Sequence, residues 1–328
     1  MQTWINRINS ALAISFYALF ILVPLVIYSH SYELFEFNKM WVTFGITIVI
    51  GFLWISKMIL LRKVVFRRTP LDIPILIFLI SQFLSTIISM DTHTSIWGYY
   101  SRFNGGFLST LAYITLYYAM ASNLLGVQNR GLTSKEVRPL RYGLINKILS
   151  FFNNQTLPFS YKLLVISLLS GAVVVLWGFP SHFGYDPTCL VFRGQLNVDC
   201  WTEAFQPTVR IFSTLGQPNW LAAYLSILLF PLIAIFLSTK IQEPRSKEIL
   251  KSSLKKSKLS DLKFGNWSAS WRMVLGILIV LFYLSLTWTK SQSGFVGFWV
   301  GLISFVAIIK FFIWREHGFN LKKAWQNS

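Results

Sequence analysis

Three short segments combine a cation with glycine and with hydroxyl or amide side chains, each immediately before a long apolar stretch. They read GYYSRFNGGFLSTLAY around Arg102, RIFSTLGQPNWLAAYL from Arg210, and TWTKSQSGFVGF around Lys290. The guanidinium of an arginine is a planar fork of N–H donors that suits phosphate oxygens, and glycine lets a ligand approach backbone N–H groups. The pattern therefore indicates an anion-binding site where three helices begin.

The middle segment is the richest of the three in groups that could contact an anion. Besides Arg210 it contains two hydroxyls and two amides, those of Ser213, Thr214, Gln217 and Asn219. Proline followed by asparagine is also a common helix start, which is the structural alternative for Pro218 and Asn219. A lone arginine at a membrane boundary usually anchors lipid headgroups. Repetition of the pattern favours ligand binding for Arg102 and Arg210, and leaves both interpretations open for Lys290.

Groups suited to acid–base or metal chemistry are scarce in this chain. The chain has neither a serine-nucleophile motif nor a phosphate-binding loop motif. No histidine or cysteine stands at metal-ligand spacing from another. We therefore expect no metal and no cofactor, and the sequence leaves the catalytic residues unknown.

The elements that must position these segments are apolar helices. The chain has 328 residues, 54% of them hydrophobic and only 13% charged, which is too apolar for a soluble domain of this length. Eight apolar segments are long enough to span a bilayer. They lie near 11–29, 41–61, 71–90, 106–125, 161–179, 219–238, 272–289 and 294–314. The sequence thus predicts an all-α, polytopic membrane protein with about eight transmembrane helices in a single domain over 1–328.

The distribution of charge predicts the orientation of these helices. With a cytoplasmic N-terminus, 25 of the 30 Lys and Arg residues fall on the cytoplasmic side, which then carries a charge of +19 against −1 outside. This asymmetry follows the positive-inside rule, and it accounts for the net charge of +18 without any nucleic-acid partner. We therefore expect both termini in the cytoplasm, with cytoplasmic loops at 126–160 and 239–271 and a long outer loop at 180–218.

The long loops differ in character. In the first cytoplasmic loop, Lys135–Phe152 places its apolar residues on one helical face, which predicts a helix lying on the membrane surface; the alternative is a polar linker with accidental periodicity. The second cytoplasmic loop is rich in lysine and serine and has no predicted chemistry. The outer loop contains Cys189 and Cys200, with ten residues and two turn formers between them. On an oxidising side of the membrane this favours a disulfide over two unrelated thiols.

The three segments resemble motifs of one known family. RIFSTLGQPNWLAAYL resembles the signature of the O-antigen ligase family, in which an arginine precedes a hydroxyl-Leu-Gly-x-Pro-Asn turn that opens a span. GYYSRFNGGFLSTLAY is similar to the family's Arg-x-Asn-Gly segment. TWTKSQSGFVGF resembles its Thr-x-Ser-Arg-Gly segment, with Gln292 where an arginine is usual. The three occur in the family's order, and eight spans with a cytoplasmic N-terminus match the first two thirds of its members.

The resemblance implies a metal-independent glycosyltransferase in the bacterial plasma membrane, in contact with membrane lipids. Such enzymes move a glycan from undecaprenyl diphosphate to an acceptor on the outer side, as ligases or as polymerases. By this resemblance Arg210 and its polar neighbours, with Arg102 and Lys290 nearby, would bind the diphosphate and first sugar. The family's large outer loop after a ninth span, which carries a histidine base, is not reached before Ser328, so we expect a chain truncated at its C-terminus. The alternative is a carrier-lipid-binding protein or transporter without catalysis.

Overall fold

The computed structural model describes residues 1–31, 33–124, 158–241 and 269–317, which form helices and loops without any strand. In chain order the α-helices within these ranges are α1 (Gln2–Leu25), α2 (Glu36–Leu61), α3 (Asp72–Ile88), α4 (Thr92–Trp97), α5 (Phe107–Asn123), α6 (Phe159–Gly178), α7 (Pro187–Arg193), α8 (Pro218–Ile241), α9 (Ala269–Trp288) and α10 (Gln292–His317). Three short 3₁₀ helices lie in the connections, at Pro180–Phe183, Glu203–Phe205 and Ser213–Leu215. The fold is therefore all-helical, as the sequence predicts.

A helix covers most of each of the eight predicted apolar segments, but the helices differ in their capacity to span a membrane. Five stretches are long and apolar enough to cross a bilayer, namely Gln2–Leu25, Glu36–Leu61, Phe159–Phe183, Pro218–Leu237 and Trp271–Trp288. Two further apolar helical stretches, Asp72–Ile88 and Gln292–Ile308, are shorter. The structure thus shows a chain with several helices of membrane-spanning length, while the count of eight spans and their orientation stay predictions.

Helix α1 begins nine residues before the apolar segment predicted at 11–29. Its first turns place Ile5 on the same face as Leu12 and Phe16, and all three side chains are buried. The i, i+7, i+11 spacing aligns them along one stripe of the helix. An apolar-length criterion misses these first turns because polar residues fill the opposite face. The helix ends at Leu25, after which Val26 adopts an extended backbone.

The described residues divide into two compact units, and the first consists of Met1–Val174 together with Thr214–Gly216. In this unit α1 packs on α2, α2 packs on α5, and α3 contacts both α4 and α5. The buried side chains of Leu12, Phe16, Ile50, Ala119 and Leu163 form one apolar cluster in it. Lipid tails are as apolar as such a cluster, so close side-chain packing, rather than exclusion from water, stabilises the contacts between membrane helices.

Several buried polar side chains of the first unit form hydrogen bonds within it. The Lys57 ammonium donates to the Asn123 side-chain oxygen at 2.9 Å, and the Lys39 ammonium donates to the Val26 carbonyl at 2.7 Å. The hydroxyl of Thr43 bonds the carbonyl one turn earlier. Such partners are required because an unpaired polar group in an apolar surrounding loses its hydration without compensation.

The second unit consists of Val175–Ser213 and Gln217–Ser328, within the part of that range that is described. Helix α8 packs against both α9 and α10. The contact with α10 is close, because a Cβ atom placed on Gly294 would overlap the Cβ atom of Ala222. Small residues at such a crossing let two backbones approach. The connection before α8, which precedes this packed group of helices, contains the candidate site.

Candidate functional site

A buried carboxylate organises the connection between α6 and α8 in the second unit. Asp186 is 1% exposed and accepts hydrogen bonds from the Ser181 hydroxyl at 3.0 Å, the Thr188 amide at 2.9 Å and the Trp201 indole N–H at 2.5 Å. The bond from Thr188 makes Asp186 the N-cap of α7. One side chain therefore joins the 3₁₀ helix at Pro180–Phe183, the start of α7 and the chain around Trp201.

The predicted cysteine pair lies beside this carboxylate. Cys189 and Cys200 form a disulfide with their Cα atoms 5.7 Å apart. Trp201 follows directly and packs edge-on against Phe212, with ring centroids 5.0 Å apart, while Phe205 stacks on Phe212 at 4.6 Å. We call Trp201, Phe205 and Phe212 the aromatic wall. The disulfide and Asp186 hold this wall from one side.

Arg210 links three parts of the second unit. Its Nε donates to the Thr289 carbonyl at 2.9 Å, at the end of α9, and its Nη2 donates to the Asn219 side-chain oxygen at 3.2 Å, at the start of α8. The next residue, Ile211, donates its amide to the Trp288 carbonyl at 3.2 Å. A guanidinium has five N–H donors, and these two bonds use two of them. The two hydrogen bonds fix the side chain in position. Because the side chain is only half-buried, a ligand can also reach it.

A cavity of about 180 Å³ lies beside this guanidinium, and we call it the Arg210 cavity. It brings together three predicted site residues, Arg210, Gln217 and Asn219. Its other lining residues are Glu203, Ala204, Phe205, Gln206, Val209, Phe212 and Pro218. Sequence reasoning missed Glu203 and Gln206 as site residues. Their signal was available, because they stand within seven residues of Arg210 in the same loop.

The two predicted hydroxyls of the middle segment do not line this cavity. Ser213 and Thr214 are each 2% exposed. The Thr214 hydroxyl donates to the Pro24 carbonyl at 2.8 Å within the first unit. The Ser213 side chain packs closely against Gly178 within the second unit. Both residues therefore have a packing role in the structure, and their predicted contact with a ligand has no geometric support.

Lys290 lies in the second unit but outside the Arg210 cavity. It is exposed, has a backbone φ of 49°, and lines a separate open cavity of about 350 Å³ with five neighbours: Leu286, Thr287, Ser291, Gln292 and Phe295. The Ser291 hydroxyl accepts the Gly294 amide at 3.3 Å, which caps the first turn of α10. The Ser291 hydroxyl thus stabilises the start of α10. Lys290 lines a different cavity from the one beside Arg210.

Arg102 lies in the first unit, where it forms an ion pair. Its Nε is 3.1 Å from a carboxylate oxygen of Glu36, whose side chain is 10% exposed at the start of α2. The loop around Arg102 is closed by a bond from the Tyr99 amide to the Asn104 carbonyl, and Phe103 has a φ of 53°. Part of the Arg102 charge is therefore balanced within its own unit. Its proximity to Arg210 stays a prediction.

One histidine of the second unit packs against an aromatic ring. His182 stacks on Trp288 with ring centroids 4.2 Å apart and an angle of 16°. Within the described ranges no group of three or more His, Cys, Asp or Glu side chains is close enough to hold a metal ion. The predicted surface helix at Lys135–Phe152 lies outside the described residues. The lysine-rich loop also lies outside them, except for its two ends, which belong to α8 and α9.

Comparison of the chain with models of known protein families, with curated proteins and with solved structures found no match. The resemblance to O-antigen ligases therefore depends on the three sequence motifs. Any function has to be argued from the geometry of the Arg210 cavity and from the membrane-spanning character of the chain.

Proposed function

We propose that this chain binds the diphosphate of an undecaprenyl-linked glycan in the Arg210 cavity. In this proposal it acts as a membrane glycosyltransferase of the O-antigen ligase type, on the outer side of the bacterial plasma membrane. The observation that carries the proposal is a fixed, half-buried arginine beside two amide side chains in one cavity, next to a helix of membrane-spanning length.

The geometry suits an anion for three reasons. The Arg210 guanidinium is held by Thr289 and Asn219, so little side-chain freedom is lost when a ligand binds. Three of its N–H donors remain for phosphate oxygens. Helix α8 begins at Pro218 beside the cavity, so the partial positive charge of its N-terminus lies there. Gln217 contributes a further side-chain amide to the lining.

The same placement suits a lipid carrier in particular. Helix α8 leads from the cavity directly into an apolar stretch long enough to cross a bilayer. A polyprenyl tail could lie among such helices while its diphosphate stays at the cavity, near water. Stabilisation of a departing diphosphate is electrostatic work that cations can perform.

We further propose eight spans with both termini in the cytoplasm, which places the outer loop and its disulfide on the oxidising side. Impermeant thiol reagents test this orientation in a chain whose native cysteines are replaced by serine. A cysteine at Gln195 should react from outside only, and a cysteine at Lys255 from the cytoplasm only. The opposite result at either position would rule out this orientation.

Binding to undecaprenyl diphosphate in nanodiscs tests the site. A hydrogen bond to a charged group contributes about 1.5–3 kcal/mol, so Arg210→Ala should weaken binding roughly ten- to a hundredfold. Arg210→Lys should restore part of the affinity, because an ammonium cannot form the two-pronged contact. Arg193 is exposed in the same loop and does not line the cavity, so Arg193→Ala is the matched control. Wild-type affinity in folded Arg210→Ala would refute the site.

One observation favours a second function, carrier binding or transport without catalysis. The contacts described for the Arg210 cavity suffice for binding an anion, which requires no catalytic group. Transfer of a radiolabelled glycan from the carrier to an acceptor separates the two functions. Transfer that depends on Arg210 would establish the glycosyltransferase. Arg210-dependent binding without transfer would establish a binding protein.

A further inference from the structure

The lining of the Arg210 cavity contains groups of opposite charge. Glu203 and Arg210 both contribute to it, together with Gln206. A carboxylate repels a diphosphate, so a cavity built only for phosphate would be weakened by Glu203. A carboxylate is, however, a strong acceptor for hydroxyl donors. The ligand that fits both ends of the cavity carries negative charge on one side and hydroxyl groups on the other.

We propose that Glu203 makes this cavity selective for a carrier that bears a sugar over a bare polyprenyl diphosphate. This inference rests on the proposed function, because it assumes that Arg210 binds the diphosphate. Glu203 would accept hydrogen bonds from the hydroxyls of the first sugar. Its repulsion of phosphate would act on both carriers, but more strongly on the bare carrier, whose terminal phosphate bears additional negative charge. The bare carrier is the product of glycan transfer.

The position of Glu203 suits such a selective contact. It begins the 3₁₀ helix Glu203–Phe205, where the Phe205 amide bonds the Thr202 carbonyl at 2.9 Å. The carboxylate is exposed, so it keeps most of its hydration in the empty cavity. A residue that hydrogen-bonds a substrate hydroxyl favours the ligand that carries this hydroxyl, here by about the contribution of one bond, because the exposed carboxylate is hydrated without that ligand.

The rest of the lining suits one sugar ring. Phe205 and Phe212 of the aromatic wall line the cavity, and Phe212 is 2% exposed and held by stacking. Gln206 donates its amide to the Trp201 carbonyl at 3.3 Å, which orients its side chain. The volume of about 180 Å³ is below the range of about 300–1,000 Å³ usual for drug-sized ligands. The cavity is therefore of a size for the junction between diphosphate and first sugar rather than for a whole glycan.

The test compares two probes in nanodiscs, undecaprenyl diphosphate and undecaprenyl diphosphate carrying one N-acetylglucosamine. Wild-type protein should bind the sugar-bearing probe more tightly. Glu203→Gln should weaken binding of the sugar-bearing probe by about tenfold, the effect of one charge-assisted hydrogen bond. The same variant should bind the bare probe as well as wild type or better, because the repulsion is removed. Asp199→Asn is the matched control, since Asp199 is an exposed acid of the same loop that does not line the cavity.

The outcomes separate this inference from the proposed function. A loss of preference for the sugar-bearing probe in Glu203→Gln, without loss of the bare probe, supports the inference. An unchanged preference overturns it, as does an equal loss of both probes, which would indicate a structural role. Equal binding of the two probes to wild type also overturns it. If instead Arg210→Ala leaves both probes bound, the proposed function itself fails.

Discussion

Asp186 holds the aromatic wall of the Arg210 cavity, and its replacement by alanine should loosen that wall. The carboxylate is 1% exposed and accepts three hydrogen bonds, from Ser181, Thr188 and Trp201. Alanine removes the acceptor and leaves these donors inside the loop. The disulfide at Cys189 keeps the chain closed, so the effect should be local rather than a complete unfolding.

The magnitude follows from the three bonds. Loss of a helix N-cap costs about 1 kcal/mol, and loss of a hydrogen bond to a charged group costs about 1.5–3 kcal/mol. Because the bonds share one acceptor and the loop relaxes, we expect a total of about 3–5 kcal/mol rather than the full sum. Each 1.4 kcal/mol is tenfold in an equilibrium constant, so local opening should increase roughly a hundredfold to a few thousandfold.

Amide hydrogen exchange measures this opening directly. The Trp201 and Phe205 amides bond the Val198 and Thr202 carbonyls, so peptides over 199–206 report the state of the wall. Asp186→Asn keeps an acceptor oxygen, so it should lower the free energy of local opening by about half as much as Asp186→Ala. Asp199→Ala removes an exposed acid of the same loop and is the control. Exchange within threefold of wild type in Asp186→Ala would show that the wall is held by other contacts.

Two further predictions concern the backbone and the disulfide. Gly216 has a φ of 78°, and a Cβ there would lie 2.5 Å from the Phe35 ring, so Gly216→Ala should lower the free energy of unfolding by roughly 2–4 kcal/mol. Gly105 is the control: its φ is 83°, a Cβ there would meet no atom within 4 Å, and Gly105→Ala should lower the free energy of unfolding by only about 1–2 kcal/mol. Denaturation in detergent measures both variants, and equal losses of unfolding free energy would exclude the clash with Phe35. Mass spectrometry of unreduced protein should show the Cys189–Cys200 peptide pair, and the double serine variant should lose roughly 3 kcal/mol. Free thiols in protein from an oxidising compartment would contradict the disulfide.

Helix content followed from the sequence because it depends on local properties. Long apolar runs predict helices of membrane length, and a helix is found over each such run. The grouping of Arg210 with Gln217 and Asn219 was also predictable, since these residues are near neighbours along the chain. The first residue of α1 was not predictable, because polar residues among Gln2–Ser10 interrupt the apolar run although Ile5 is buried.

The roles of individual polar groups depended on contacts between distant parts of the chain. Thr214 bonds the carbonyl of Pro24, which is 190 residues away, and Arg210 bonds a carbonyl 79 residues away. No local pattern predicts such partners, because they form only when helices pack. The polar residues of the middle segment therefore have two different roles. Ser213 and Thr214 are buried in packing contacts, whereas Arg210, Gln217 and Asn219 line the cavity. Glu203 stands near Arg210 in the chain, but so does Asp199, and the turn of the loop decides that Glu203 lines the cavity.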